Sequence, residues 1–421
     1  MKIKFLGGCG EVGRSAILVD DEIMLDYGLR PSTPPETPEG NGRVHPKSVV
    51  VSHAHLDHSG MVPSLMSMGR DGTPDVYMTA VTGDLAQLLS RDTIKIGKDQ
   101  GFFLFGHEDL RKMNERTHTL GYGERVALDG YELELFNAGH IPGSASTYLR
   151  KESEDISLFY TGDIKMDATR LMEAPSPKDF PAADILLIES TYYGREHRNR
   201  QEMEREFIDS ITETLNSGHN AIVPCFAVGR TQEIVMILHS YGLTPYVDGM
   251  GLGVFRTLRN HPSFVRNAKA LNDAFGNARF VNAKKRKNVF SEPSVIVTTA
   301  GMLNGGPALY YLKKIHEDPK SKVLLTGYQI EGTNGQRLMD EGCVEIDGEI
   351  VKVNMQVEQY DFSAHAGDSE LKGIVSKFYE NGTGIIFTVH GDDTEGFATW
   401  AREEYGCDAI SPKVGEEFVI E

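Results

Sequence analysis

Six times in this chain an apolar run ends and a histidine or carboxylate follows within four residues. Asp26 follows Ile23-Met24-Leu25, and His53 follows Ser48-Val49-Val50-Val51. His140 comes after Leu133–Phe136, Asp163 after Leu158-Phe159-Tyr160, Glu189 after Ile185–Ile188, and His390 after Ile385–Val389. Short apolar runs bounded by turn residues read as buried strands. Strand ends along one edge of a sheet are where α/β sites are built, so one rim would gather all six groups.

The second of these positions is the densest. His53-Ala54-His55-Leu56-Asp57-His58 packs three histidines and an aspartate into six residues at a strand exit. Isolated histidines such as His45, His107, His118 and His219 are read as surface or satisfied core residues. A His/Asp cluster of this density is read as a metal site. Imidazole and carboxylate suit zinc and its neighbours, whereas oxygen-only sites suit Mg²⁺ or Ca²⁺. His53 and His55 project from one side of an extended segment and can hold one ion, while Asp57 and His58, past the bend, can face a second. Seven candidate ligands (His53, His55, Asp57, His58, His140, Asp163 and His390) are too many for one tetrahedral ion. The cofactor expectation is two Zn²⁺ per chain, with Mn²⁺ as the alternative.

Gly8-Cys9-Gly10-Glu11-Val12-Gly13 fits a dinucleotide fingerprint, but such a site needs a helix to open there. The chain continues instead with Ser15–Val19, an acidic turn and Ile23-Met24-Leu25, a pattern that predicts a β-hairpin. The segment is therefore read as a Gly-rich turn.

The rest of the pattern predicts an α/β chain. Helices are expected over 79–98 and 108–116, strands over 132–136, 146–149, 157–160 and 184–189, and an amphipathic helix over 199–215. Strand–helix alternation then runs through 221–226, 231–241, 295–299, 307–315 and 322–326, which suggests a parallel sheet. The chain reads as extended over 344–360, with helices at 368–378 and 394–405 around a strand at 384–389, and a strand at the end. The 421 residues are enough for roughly two to three domains. With 40 % hydrophobic and 25 % charged residues the composition is that of a soluble globular protein, which excludes a mostly disordered or collagen-like chain. The apolar runs are too short to span a bilayer, so no membrane partner is expected. Cys9, Cys225, Cys343 and Cys407 are scattered without a C-x-x-C pair. That argues against a disulfide framework and for a cytoplasmic location.

These residues, in this order, resemble the metallo-β-lactamase superfamily. The resemblance implies an αββα sandwich in which His53, His55 and His140 bind one zinc and Asp57, His58 and His390 the other. By the same resemblance Asp163 bridges the two ions, and Asp26 orients the ligands from behind. Between Asp163 and His390 lie 226 residues, a gap that simple members lack. The insertion is similar to the α/β β-CASP domain of RNA- and DNA-processing nucleases. Its three extra motifs match Glu189-Ser190-Thr191-Tyr192, Ser363-Ala364-His365-Ala366 and Val389-His390-Gly391. Glu11-Val12-Gly13-Arg14-Ser15, Thr299-Ala300-Gly301-Met302 and Gly327-Tyr328-Gln329 look like the archaeal and bacterial relatives of the mRNA 3′-end cleavage and polyadenylation specificity factor endonuclease. The members resembled are those without KH domains. The implied domains are a metallo-β-lactamase domain over 1–193 and 363–421, interrupted by a β-CASP domain over 194–362, with the active site in the cleft between them.

The implied activity is zinc-dependent hydrolysis of RNA phosphodiester bonds, as an endonuclease, a 5′→3′ exonuclease or both, in RNA processing or decay. A hydroxide activated by two metals would attack the phosphorus in line. His365 is the expected general acid, oriented by Glu189, and Asp57 has a catalytic as well as a ligating role. The net charge of −18 at first opposes a polyanionic substrate. However, 20 Lys and Arg balance 20 Asp and Glu over 194–362, so the excess falls on the remainder. Nine basic residues lie between Val254 and Phe290 against the single acid Asp273. Lys284, Lys285 and Arg286 are expected to contact phosphate. Ser363, His365 and the helix N-terminus after Gly305-Gly306 are expected to contact substrate as well. RNA is the expected partner, with a homodimer or an RNA-processing complex as further association. A small-molecule hydrolase of the same superfamily would carry a shorter chain or another insert, and a non-catalytic RNA-binding subunit would have lost ligands. In the resembled family DNA-acting members tend to have an aliphatic residue where this chain has His390, which favours RNA.

Overall fold

The computed structural model describes residues 1–32, 34–67, 72–128 and 130–421. The chain divides into two compact units. The first comprises Met1–Ala168, Glu173–Glu196 and Ala364–Glu421, and the second Thr169–Met172 and His197–Ser363.

Among the described residues, the first unit holds two seven-stranded sheets. One runs Glu417–Val419, Lys2–Gly7, Ala16–Val19, Ile23–Leu25, Ser48–Val50, Asp75–Met78, Thr117–Thr119. The pairing Phe5↔Ile17 and Ile3↔Val19 makes the first two N-terminal strands an antiparallel hairpin. The Gly-rich segment is thus a hairpin connection, as its sequence predicts, and no helix opens there. The other sheet runs Asp408–Ile410, Ile385–Val389, Ile185–Glu189, Ile156–Tyr160, Ala145–Lys151, Tyr131–Asn137, Arg125–Leu128.

Alternation along each strand divides the apolar residues between two faces. Phe5, Ile17, Leu25 and Val50 from one sheet meet Leu133, Leu158, Leu187 and Phe387 from the other in a shared core. The Phe5 and Phe387 rings lie 5.0 Å apart at its centre. The opposite face of the second sheet, with Phe159, Leu186 and Ile386, is covered by helices Asp368–Glu380 and Thr394–Tyr405 through Leu371, Val375, Phe378 and Phe397. Leu18, Met24, Val49 and Val76 of the first sheet pack against Leu110 and Met113 of helix His107–Glu115. The order is helix, sheet, sheet, helix.

Strand direction fixes where the site falls. Ile156–Tyr160, Ile185–Glu189 and Ile385–Val389 are mutually parallel, and so are Ile23–Leu25 and Ser48–Val50. Tyr131–Asn137 is two antiparallel steps from Ile156–Tyr160 and so runs the same way. Each group of carboxyl ends therefore lies on one edge of its sheet.

The second unit has a six-stranded sheet, among the described residues, in which every pairing is parallel. Ala221–Pro224 and Val295–Thr298 lie at its centre, flanked by Tyr246–Asp248 and Lys322–Leu325. The alternation of strands and helices predicts this arrangement. The strand Tyr246–Asp248 and the helices Gly251–Asn260 and Ala268–Asn277 are additions that the sequence pattern does not reveal. Within 344–360 the extended reading resolves into the hairpin Cys343–Ile346/Glu349–Lys352 and the sheet strand Gln356–Gln359.

Because the shared core holds the two sheets of the first unit together, truncating its central ring should be costly. Phe387→Ala is expected to lower unfolding free energy by about 3–5 kcal/mol, read from the denaturant midpoint at unchanged slope. A loss below about 1 kcal/mol would mean that the two sheets do not depend on this contact.

Candidate metal centre

The seven candidate ligands, with Asp26, Glu189 and His365, all belong to the first unit. The loop after Ser48–Val50 turns at His53 and enters a single helical turn, Leu56–Ser59, which carries Asp57 and His58. His55 is the N-cap residue of that turn, and its carbonyl accepts from the amides of His58 and Ser59. Asp26 and His390 each leave their strands with a left-handed backbone, φ 56° and 49°. Such conformations are uncommon for residues with a side chain and cluster at functional sites.

One ligating atom from each of His53, His55, His140 and Asp163 lies within 4.8 Å of all the others. The same holds for His58, Asp163 and His390, for His53, Asp57 and His58, and for Asp163, Glu189 and His365. Asp163 connects three of these groups, and its two oxygens face different histidines. Oδ2 is 3.5 Å from His53 Nε2 and 3.6 Å from His140 Nε2. Oδ1 is 3.2 Å from His58 Nε2 and 3.6 Å from His390 Nε2. His390 Nε2 also lies 3.7 Å from Asp57 Oδ2.

Orphaned atoms test whether these residues fit a cation. The Nε2 atoms of His53, His55, His58 and His390 and Oδ1 of Asp163 are buried without a hydrogen-bond partner. Unpaired polar atoms in an apolar interior cost free energy, and a bound cation among them would satisfy several at once. Their charge states suit one. Burial holds His53 and His140 well below the usual imidazole range, and His55 below it. The neutral imidazole is the form that ligates. Burial opposes charge on Asp163 too, but the neighbouring His58 and His390 hold its carboxyl well below the usual range. Burial opposes charge on His58 too, but Asp163 and Asp26 outweigh it and raise its pKa; a cation facing Nε2 would take the place of that proton and leave Nδ1–H to Asp26. The donor set fits a metal.

Behind these groups lies a layer of orienting bonds. Asp26 is fully buried and accepts from the Ser52 amide and hydroxyl, each at 2.7 Å, and from Tyr160 at 2.9 Å. It also lies 2.7 Å from His58 Nδ1. Ala364 O holds His140 Nδ1 at 2.8 Å, and Ser15 Oγ holds His390 Nδ1 at 2.9 Å. Bonds of this kind fix ring orientation and tautomer. The sequence assigns no site role to Ser15, Ser52, Tyr160 or Ala364, although Ser15, Tyr160 and Ala364 fall within its quoted segments. Ser52 and Ala364 adjoin His53 and His365, and that adjacency is the one local signal available. Tyr27, Gly28 and Leu29 knit onto the His-rich turn through the pairs Tyr27 N–His58 O and Leu29 N–Leu56 O, both 2.8 Å. A Cβ on Gly28 would stand 1.7 Å from Asp57 O.

His365 stands apart from the histidine sets but beside them. Its Nδ1 is 2.9 Å from Glu189 Oε2 and its Nε2 3.9 Å from Asp163 Oδ2. Burial works against its charge, yet Glu189 and Asp163 hold its pKa up at about 9. Glu189 also accepts from the Ile164 amide at 2.7 Å, so the carboxylate is fixed. The side chain of His365 is 19 % exposed and can reach an incoming group.

The substrate contacts expected in the second unit divide. Lys284 and Lys285 are exposed. Arg286 instead pairs with the buried Asp248, Nε–Oδ2 2.7 Å, and lies over the Tyr310 ring, so its guanidinium is spent on structure. Arg279 is likewise paired, with Glu292, an acid just beyond the basic run. Helix Gly306–Ile315 does start after Gly305. Its N-terminus offers fewer amides than the sequence suggests: Pro307 has none, and the Ala308 amide donates to Thr299 O. Ser363 is buried.

The helix–sheet–sheet–helix unit and its His/Asp rim define a metallo-hydrolase with an α/β insertion. The Beta-Casp domain model matches residues 231–338, and the model of a Zn-dependent metallo-hydrolase RNA specificity domain matches 350–412. The chain is 36 % identical to Probable RNase MJ4 of Methanocaldococcus jannaschii, covering 100 % of both. It is 34 % identical to RNase aCSPSF2 of Saccharolobus solfataricus, over 99 % of this chain and 85 % of that one. A crystal structure of a protein of unknown function from Enterococcus faecalis V583 superposes with TM-score 0.62 at 13 % identity, over 100 % of this chain and 99 % of that one, which shows the common fold. The chain belongs to the β-CASP nuclease family of the metallo-β-lactamase superfamily.

The close approach of Gly28 to the His-rich turn gives a test that leaves every candidate ligand side chain unchanged. Gly28→Ala should displace Asp57 and His58 and lose most bound metal by elemental analysis, with Gly276→Ala, whose Cβ meets open space, as control. Full metal content in Gly28→Ala would show that the turn does not depend on this packing.

Proposed function

We propose that this chain is a metal-dependent ribonuclease that hydrolyses RNA phosphodiester bonds at the Asp163 rim, with two zinc ions per chain and Mn²⁺ as the alternative. The observation that carries the reading is the division of the Asp163 carboxylate, Oδ2 toward His53 and His140, Oδ1 toward His58 and His390. One carboxylate facing two histidine sets suits a bridge between two ions. The names of the two relatives, both RNases, support RNA as the substrate.

His53, His55 and His140 would hold one ion and Asp57, His58 and His390 the other, with Asp163 shared. Bound metals would lower the pKa of water and offset charge on the phosphoryl oxygens. The chain's own groups do the rest. Asp26 and Ser15 fix the rings of His58 and His390 from behind. Asp57, 24 % exposed at its side chain, can take a proton from the attacking water. His365, charged below about pH 9, donates to the leaving 3′-oxygen, and Glu189 holds it in position. The products are a 5′-phosphate and a 3′-hydroxyl.

The domains we assign are 1–193 with 363–421 for chemistry and 194–362 for grip on the substrate. Lys284 and Lys285 supply phosphate contacts there, with the helix N-terminus at Gly305-Gly306 and Ser363 as further contacts. Cytoplasmic RNA processing or decay is the setting, as a homodimer or within a larger complex. No helix among the described residues is long and apolar enough to cross a membrane.

Removing a general acid costs on the order of 10²–10⁴ in rate. His365→Ala should lose that much cleavage while keeping its metal and its RNA affinity, whereas His58→Ala should lose metal as well. A metal-replete His365→Ala enzyme cleaving at the wild-type rate would remove His365 from the mechanism. Reversing Lys284 and Lys285 to Glu should weaken RNA binding and flatten its salt dependence without changing the melting temperature. Arg286→Glu should instead lower that temperature, because it leaves the buried Asp248 with only its bond from the Tyr311 hydroxyl and sets a like charge beside it. An unchanged salt slope in the lysine variant would assign those side chains to a solvated face. Internally labelled RNA bearing a 5′-triphosphate or a 5′-monophosphate separates the modes. Internal cuts in both mean endonuclease; mononucleotides from the monophosphate alone mean exonuclease; no cleavage of either contradicts the reading.

A further inference from the structure

The first unit carries a second feature that its metal rim does not use. Helix Ala80–Gln100 ends at Gly101, which has φ 79° and donates to Gly97 O. The chain then reverses, and Phe102 packs back over Gly97: a Cβ there would stand 2.7 Å from Phe102 O and 3.1 Å from its ring. This return leaves a groove of about 450 Å³ between the last turns of the helix and the segment Phe102–Phe105. Phe105 is buried and Phe102 partly so, but Phe103 is 80 % exposed, the most exposed large apolar side chain among the described residues. Arg91, Lys95 and Lys98 stand along the helix side, all exposed. No carboxylate is among the described residues lining the groove, in a chain whose net charge is −18. Of the nearby acids, Glu108 is paired with Arg111, Asp92 is partly buried and faces Lys95, and Asp99 is exposed at the end of the helix.

We infer that this groove binds single-stranded RNA, holding a stretch of the substrate strand away from the scissile phosphate. The inference rests on the ribonuclease reading for its choice of polymer. Exposed flat rings beside a row of cations are what single strands use: bases stack on the aromatic faces and phosphates meet the positive charges. The apolar surface is mostly aromatic, whereas a groove for an amphipathic helix would present spaced aliphatic pockets. Position fits as well. At its other end the same helix is tied to the loop that carries His140: Thr79 Oγ1 and Thr82 Oγ1 donate to Gly143 O at 2.9 and 3.0 Å. From Val81 to Lys95 the helix rises about 20 Å, a span of a few nucleotides. A strand engaged at the rim can therefore reach the groove if it is long, and cannot if it is short.

The experiment compares RNAs of about 5 and about 30 nucleotides with the full-length protein. Affinity is read by anisotropy on phosphorothioate RNA, and kcat and KM by cleavage of ordinary RNA. Phe103→Ala and the triple variant Arg91→Ala/Lys95→Ala/Lys98→Ala should each weaken binding of the long RNA on the order of 10-fold. The loss should fall on KM, with the short RNA unaffected, and Phe103→Trp should restore it. The triple variant should also lower the salt slope by about 2. Equal affinities for variants and wild type, or equal losses on both lengths, would overturn the proposal. So would RNA binding that holds while the variants lose self-association or capture of an acidic peptide, which would make the groove a protein interface. Because binding and cleavage are read separately, failure of the ribonuclease reading appears as absent cleavage and leaves the binding comparison standing.

Discussion

One buried carboxylate ties the histidine-bearing edge together. Asp26 follows a strand of the first sheet and accepts from the backbone and side chain of Ser52, just past the end of the neighbouring strand. It also accepts from the hydroxyl of Tyr160, on the second sheet, and meets His58 Nδ1. A carboxylate with no access to water must be fully engaged by donors. Here the donors come from two sheets and from the His-rich turn. Their demands meet only when the strand ends are aligned, so the same bonds that satisfy Asp26 set the spacing of the ligating rings. Its left-handed backbone is held by this network. The metal rim is therefore a consequence of sheet packing as much as of ligand chemistry.

Much of this is legible in the sequence, because strand polarity and burial both leave local marks. Apolar runs at 23–25, 156–160, 185–189 and 385–389 are buried strands, and their parallel pairing brings Asp26, Asp163, Glu189 and His390 to the edges of the sheets. The hidden part depends on contacts between distant segments. Ser15 reaches His390 across 375 residues, and the Ala364 carbonyl reaches His140 across 224. No spacing rule announces either. The Arg286–Asp248 pair has the same origin: a basic run looks uniform in sequence, and only tertiary partners show which cations are spent. Helix Ala268–Asn277 lies within that run, and helix Gly251–Asn260 leads into it.

Charge is distributed in keeping with a nuclease that handles a polyanion despite a net charge of −18. The stretch 194–362 is neutral in sum and holds the exposed Lys284 and Lys285. The first unit carries most of the negative charge but leaves the Arg91–Lys98 side of its long helix cationic. Local fields near these groups, rather than the net value, decide how RNA approaches within a Debye length of about 8–10 Å.

In the mechanism proposed above, the two sides of Asp163 hold separate metal ions. Anomalous X-ray scattering from crystals grown without chelator, collected on either side of the zinc edge, tests it most directly. Two anomalous peaks flanking the Asp163 carboxylate, one near His53 and His140 and one near His58 and His390, are the predicted result. A single peak, or a metal-free rim in a protein that still cleaves RNA, would contradict the account.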